Sequence, residues 1–519
     1  MNRDVIIEKI QHQGEQLWDI IVIGGGATGL GIALDASTRG YVTLLLEQSD
    51  FSKSTSSKST KLVHGGVRYL AQGDILLVTE ALHERGLLLR NAPHLTSNQE
   101  FVIPVYSIRD VLLYYFGLKF YDLLSGRLSM GKSYYIGKEE ALTRLPLLKP
   151  ERLKGGIVYH DGQFDDSRMA ITLAEACVES GGTTLNYARV ESLLKSGNNR
   201  IEGVVARDIL SGMEYRFKGK LVINATGVFA DEIHRMDDPA SKQSIRPSQG
   251  VHIVFENSFL KSKSAIMIPK TDDGRVLFAI PWYGKVVAGT TDTPLDTVSL
   301  EPRPLDEEIN FILKTAGDYL THPPERKDIL CVFAGLRPLA SDPDNPLATR
   351  EVSRRHKITL SPSGLLSIVG GKWTSYRKMA EETIDRGIKA GILNPAKCKT
   401  KDFSFFKPDG ALKSERLRIY GRGAKEIEEM ISDNPSLNRK VISEFPYTTA
   451  EIIWICRNEM PQTIEDILAR RTRALFLNAR ASMDMAPEVA RFMAEELGKD
   501  DKWQKNQIED YRNLVRNYL

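Results

Sequence analysis

Cysteine is scarce in this chain. The four present, Cys177, Cys331, Cys398 and Cys456, are scattered, with neither CxxC nor metal-ligand spacing. That argues against a disulfide framework or a thiolate metal centre and for a reduced, cytosolic setting. Charge of one sign is lacking too. With 70 Lys+Arg against 67 Asp+Glu the net charge is only +3, so no overall field points to nucleic acid. The short basic stretch SRRHK at 353–357 reads as a solvated turn. No apolar run reaches the ~18 residues that cross a bilayer. The nearest, VLLYYFGLKFYDLL at 111–124, is interrupted by Lys119 and Asp122; it reads as an interfacial helix or, equally, as a buried core helix. The opening MNRDVIIEKI carries charges where a signal peptide has its apolar segment. Internal repeats and low-complexity tracts are missing as well. What remains is a 519-residue chain long enough for two or three cores.

The stretch LWDIIVIGGGATGLGIALDASTRGYVTLLLEQ, 17–48, holds a complete dinucleotide-binding unit. Residues 20–23 are a β-branched run suited to a buried parallel strand. Gly24, Gly26 and Gly29 follow as G-x-G-x-x-G, then a helix over 28–39, a second strand over 42–46, and Glu47 at its carboxyl end. Gly24 permits the tight turn, Gly26 lets backbone approach a pyrophosphate, and Gly29 lets helix and strand pack closely. The helix N-terminus offers unpaired N–H groups to the phosphates. Glu47, 18 positions past Gly29, is placed to accept from a ribose 2′-OH and to repel a 2′-phosphate.

Two later stretches bear on which dinucleotide is bound. KLVINATG (220–227) and LLSIVGGKWTSYRKMAEET (365–383) are strand-like runs ending in small residues. Three such strands suit one large flat cofactor lying along the carboxyl edge of a sheet. There is no second strand–GxGxxG–helix unit; GRGAK (421–425) follows a charged helical stretch and lacks the third glycine. One dinucleotide without a nicotinamide domain points to a flavin. GRLSMGKS (126–133) matches the P-loop spelling, but no strand is expected before it and no helix immediately after, as that motif requires.

With TSSKSTKLVHGGVRYL, INATGVFAD, AGTTDTP, AGLRPL and GGKWTSYRKMAE added, the chain resembles the FAD-dependent glycerol-3-phosphate dehydrogenase family. That family lies within the glycine oxidase/D-amino-acid oxidase superfamily, and the motifs run in order from Val22 to Glu381. The resemblance implies non-covalent FAD held by Gly24, Gly26, Gly29, Glu47, Ser56, Ser57, Gly65, Val190, Thr226, Gly227, Gly371, Lys372 and Thr374. It implies that Gly65 and Gly66 let backbone approach the flavin ring. His64, Arg68 and Tyr69 then face a substrate. A phosphate monoester needs cations and directed donors; Arg68, Arg337, Arg350 and Lys372, with Tyr69, are the candidates. Oxidation of a secondary alcohol sends a hydride to the flavin and a proton to a base, either His64 or His252, while Arg337 orients the oxygen. The resemblance further implies a quinone acceptor, a peripheral place on the inner face of the cytoplasmic membrane, and a homodimer. No nucleic-acid partner is expected.

The fold class is α/β. An FAD-binding, Rossmann-like doubly wound sheet is expected to be discontinuous, over residues 1–98, 165–237 and 331–390. A mixed β-rich substrate domain covers 99–164 and 238–330, with strands at 251–255, 276–280 and 286–289 followed by the Thr290-Thr291-Asp292 turn. Beyond the linker KCKTKDFSF, residues 400–519 read as a helical C-terminal domain. Two rival readings use the same fold: an amino-acid or sarcosine-type oxidase, with one Arg and an apolar pocket, and a glycerol-3-phosphate oxidase using O2. Such oxidases carry an extra internal segment that is missing here. A third is a flavin-bearing scaffold without catalysis.

Overall fold

A computed structural model describes residues 1–12, 16–71, 73–269, 271, 276–340, 355–405 and 412–519, with the backbone alone at Arg68 and Ala71. Arg350 and the first two residues of SRRHK lie outside the described residues.

The β-branched run forms the strand Leu17–Ile23 at the centre of an eight-stranded sheet. Parallel neighbours Glu214–Asn224 and Thr43–Leu46 flank it, with Leu365–Val369 beyond the first and Thr183–Leu185 beyond the second. Ile20, Val22, Leu44 and Ile223 are wholly buried, as a parallel sheet covered on both faces requires. The register aligns Ile23 with Leu46 and Asn224, and Asn224 with Ser367. Three carboxyl ends therefore meet at one edge, where Gly24, Glu47 and Thr226 follow.

The helix Ala27–Arg39 packs between the helices Asp166–Glu179 and Tyr376–Lys389. Glycine makes this possible. A Cβ on Gly29 would lie 1.9 Å from the carbonyl oxygen of Gly24, and one on Gly31 2.8 Å from the Tyr376 ring. Gly24 itself has φ +110°, the conformation that admits glycine and little else.

A ten-stranded, mostly antiparallel sheet forms the second layer; its longest pairs are Thr96–Val105 with Gly155–Phe164 and Ile245–Glu256 with Cys331–Ala340. This corrects the expected partition. The expected range 331–390 opens with residues 331–340, yet these pair along Ile245–Val254 in the second sheet. Only 357–369 and the helix after it return to the first. Leu62–Val63, expected in the first unit, also pairs in the second sheet. Both departures occur where the chain crosses between layers, which hydrophobic periodicity does not register.

The helix Ile108–Ser125 is two-sided. Leu118, Tyr121 and Ser125 are buried, while Leu112, Leu113, Phe116 and Leu123 are 52–73 % exposed. The fully buried reading of 111–124 is thereby excluded. GRLSMGKS follows this helix and leads into the strand Tyr134–Gly137. Its Ser133 binds Asp122 through amide and hydroxyl, the reverse of the P-loop order.

The C-terminal helices share one core with the second sheet, in which Val254, Trp282 and Phe333 join Trp454, Leu468 and Phe476. Buried ion pairs tie the same helices to the first layer. Arg470 and Arg471 grip Asp50, Arg473 pairs with Asp165, and Glu459 pairs with Arg168. Buried charges persist only when paired in this way.

Candidate active site

The aligned carboxyl edge opens into a cavity of ≈ 360 Å³ that runs toward the second sheet. At one end are Gly24, Gly26, Glu47, Val190 and Thr226. Glu47 accepts from the amides of Gly25 (2.6 Å) and Ser49 (2.8 Å). Each carboxylate oxygen keeps a lone pair for a ribose hydroxyl. Burial pushes this carboxyl above its ordinary range despite those two bonds. Ala27 N–H donates to Ser56 Oγ (2.9 Å) at the helix start. Ser52, whose Oγ is buried without a hydrogen-bond partner, also lines the cavity. A helix N-terminus, a hydroxyl seeking a partner and an acid set for a ribose fit the two halves of FAD.

At the other end stand Tyr69, His252, Arg337 and Lys372. The guanidinium of Arg337 is held from behind. It donates to Thr290 Oγ1 (3.0 Å), to the carbonyls of Thr291 (2.9 Å) and Gln249 (3.2 Å), and to Asp292 Oδ1 at 3.3 Å. The Thr290-Thr291-Asp292 turn thus does more than line the approach: it fixes the orientation of the arginine fork. A Cβ on Gly250 would sit 2.4 Å from Arg337 Nη2, so glycine there leaves room for it. Lys372 Nζ lies 3.8 Å over the centre of the Tyr69 ring, a cation–π contact that joins the two motifs.

The two histidines differ in setting. His252 is 3 % exposed and stacks on Phe333 at 4.9 Å. Burial, together with Arg337 and Lys61, holds its pKa well below the ordinary imidazole range. His64 is held by its backbone, whose N–H donates to Thr374 Oγ1 at 3.2 Å. Burial first, then Lys372 and Arg85, lower its pKa to about 4 against the pull of Asp161. Both imidazoles are neutral at neutral pH.

Of the residues expected from sequence, Gly24, Gly26, Glu47, Ser56, His64, Tyr69, Val190, Thr226, Gly227, His252, Arg337, Gly371, Lys372 and Thr374 line this one cavity. Gly29 serves helix packing, and Ser57 is turned to the carbonyl of Ser54. Gly65 has a packing role that the sequence did not show. A Cβ there would meet Leu82 and the Tyr121 hydroxyl at 2.5 Å, and its amide donates to that hydroxyl at 2.8 Å. Glycine at this position is required by packing against the helix Ile108–Ser125. Arg68 lies on the short helix Val67–Ala71. Sequence reading missed Lys53, Lys58, Thr60, Arg189 and Trp373 on the cavity wall. Lys58 and Thr60 sit in the serine-rich run TSSKST, where alternating hydroxyls and lysines were the available signal.

A dinucleotide edge opening onto an arginine and a lysine, with neutral histidines beside them, defines the class as an FAD-dependent oxidoreductase. The family described as FAD dependent oxidoreductase matches residues 19–377, and the C-terminal domain of alpha-glycerophosphate oxidase matches residues 366–504. Glycerol-3-phosphate dehydrogenase, mitochondrial, of Macaca fascicularis is 41 % identical over 549 residues, covering 99 % of this chain and 75 % of that one. The protein of the same name from Schizosaccharomyces pombe is 37 % identical over 580 residues, covering 99 % and 89 %. The crystal structure of the glycerol-3-phosphate dehydrogenase from Bacillus halodurans complexed with FAD superposes with a TM-score of 0.80 at 30 % identity, covering 99 % of this chain and 97 % of that one. The chain belongs to the FAD-dependent glycerol-3-phosphate dehydrogenase family, and FAD is its cofactor.

Proposed function

We propose that the chain oxidises sn-glycerol 3-phosphate to dihydroxyacetone phosphate and passes the electrons to a membrane quinone. The observation that carries this reading is that Arg337, Lys372, Tyr69 and His252 line the same cavity as the dinucleotide edge. Two cations and a phenol suit a phosphate monoester better than the single arginine an amino-acid oxidase needs. Bound FAD supplies the hydride acceptor. Arg337, its orientation set by the 290–292 turn, steadies the negative charge that grows on the substrate oxygen. His252, neutral and buried beside Thr60, takes the hydroxyl proton. His64 lines the same cavity, its backbone N–H held by Thr374.

The exposed stripe of the helix Ile108–Ser125 supports a membrane-surface location. Leu112, Leu113, Phe116 and Leu123 point to solvent, and the basic residues Arg109, Arg127 and Lys132 around them are exposed. That combination suits an interfacial helix on anionic lipid. Among the described residues no helix is long and apolar enough to cross a membrane. The test is anaerobic: glycerol 3-phosphate should bleach the visible flavin band, and a short-chain quinone should restore it. Bleaching by sarcosine and not by glycerol 3-phosphate would replace this reading with the amino-acid oxidase one.

A further inference from the structure

The loop that follows the second strand, residues 49–58, forms much of the cofactor wall through Ser52, Lys53, Thr55, Ser56 and Lys58. Its own backbone bonds are few: Lys53 N–H donates to the Asp50 carbonyl and Lys58 N–H to that of Thr55, at the short turn Thr55–Ser57. What fixes it comes largely from elsewhere in the chain. At its root, Asp50 is gripped by Arg470 and Arg471. In its middle, Lys53 Nζ binds Glu465 Oε2 at 2.8 Å. Burial raises the Glu465 pKa, but Arg470 and Lys53 outweigh it and hold that carboxyl at about 2. At its end, Lys58 Nζ binds Glu301 Oε2 at 2.8 Å, and the same oxygen accepts from the Tyr518 hydroxyl at 2.7 Å. Lys58 also donates to the carbonyl of Leu300, a residue of the opposite rim of the cavity. One carboxylate thus joins the cofactor loop, the rim before the helix Asp306–Tyr319, and the closing turn Arg516–Tyr518.

We propose that the C-terminal helical region is part of the cofactor site. It acts as a clamp that holds residues 49–58 in their FAD-binding shape through Glu465 and Tyr518. Neither residue touches the cavity; both are positioning residues that act through Lys53 and through Glu301 with Lys58. The physical reason is pre-organisation. A loop already fixed by outside contacts loses little freedom when a ligand binds, whereas a loosened loop must be ordered at the ligand's expense.

The contacts at Asp50 are too buried to change without risk to folding, so the test uses Glu465→Gln and Tyr518→Phe. Each keeps size and shape; Tyr518→Phe removes the bond to Glu301, and Glu465→Gln weakens the bond to Lys53 together with the 2.7 Å pair to Arg470. FAD is stripped from the full-length protein, and its dissociation constant is measured by quenching of flavin fluorescence. Release from the loaded protein after dilution is followed as a second readout. Each variant should bind FAD about ten-fold more weakly and release it correspondingly faster, while the melting temperature of the FAD-free protein falls by only a few degrees (~2–4 °C per kcal/mol for chains of this order). A role confined to stability would move the melting temperature and leave FAD affinity alone. A dissociation constant within about two-fold of wild type in one variant removes that contact from the clamp; in both, it overturns the proposal.

Discussion

The Nε2 atom of His252 lies 2.9 Å from the hydroxyl of Thr60, while its Nδ1 atom is buried without a hydrogen-bond partner. The imidazole's hydrogen bonding therefore runs through Thr60, whose side chain also lines the cavity. Thr60→Val keeps the shape and removes the hydroxyl. It should lower kcat about 10- to 100-fold, at the low end of general acid–base effects, while Thr60→Ser restores most of the rate. Wild-type turnover in Thr60→Val would show that the proton does not leave by this route.

Arg337→Ala should leave a yellow protein, because its guanidinium is held by Thr290, Thr291, Gln249 and Asp292, outside the dinucleotide fingerprint. Steady-state assays should show kcat reduced by about 10²–10³, the usual effect of losing a donor aimed at developing charge. Arg337→Lys should recover little, since lysine cannot reproduce the fork held by Thr290, Thr291 and Gln249.

Stability should fall in acid over a window set by the histidines. Unfolded, each binds a proton near pH ~6.5. Folded, His64 resists until about 4, and His252 lies well below its ordinary value. Between those points the unfolded state holds more protons, so stability is complete above pH ~6.5 and is lost as the pH falls toward His64's folded value. Urea midpoints should decline over that interval, and His64→Gln should flatten the decline.

Replacing Gly65 by alanine should destabilise the fold by about 1–3 kcal/mol, the ordinary cost of overpacking. The added methyl would meet both Leu82 and the Tyr121 hydroxyl. Thermal melts of the purified variant measure this directly. A melt equal to wild type would show that the helix Ile108–Ser125 can move away from the HGG segment.

On that helix, Leu112→Ser combined with Phe116→Ser should change folding stability by no more than about 0.5 kcal/mol per site, as expected at exposed positions. Sedimentation with anionic vesicles should fall sharply. Undiminished sedimentation would move the lipid contact to another surface.

The first layer was legible because its signals are local. The run at 20–23, the three glycines and Glu47 lie within one short stretch and dictate strand, turn, helix and strand without reference to the rest of the chain. Arg337 and Lys372 were legible through their motifs, but that they line one cavity with His252 is a property of the crossover between sheets. That crossover also explains why 331–340 was placed in the wrong layer: an apolar strand looks the same whichever sheet it joins. The packing of Gly65 against Leu82 and Tyr121 was not legible, because a glycine states that room is needed without naming the neighbour. The restraint on Asp50 comes from arginines more than four hundred residues away, a distance over which no pattern in the sequence runs.

Those same arginines impose a schedule on the newborn protein. Asp50 leaves the ribosome 420 and 421 residues before Arg470 and Arg471, a wait on the order of 20–80 s at typical elongation rates. Until the tail arrives, an acid destined for burial has no counter-ion and must stay in water, with its neighbours in the cofactor wall. On the clamp proposal, tight flavin binding is expected only once residues 465–518 have been made, and a chain cut short before them should hold FAD more weakly.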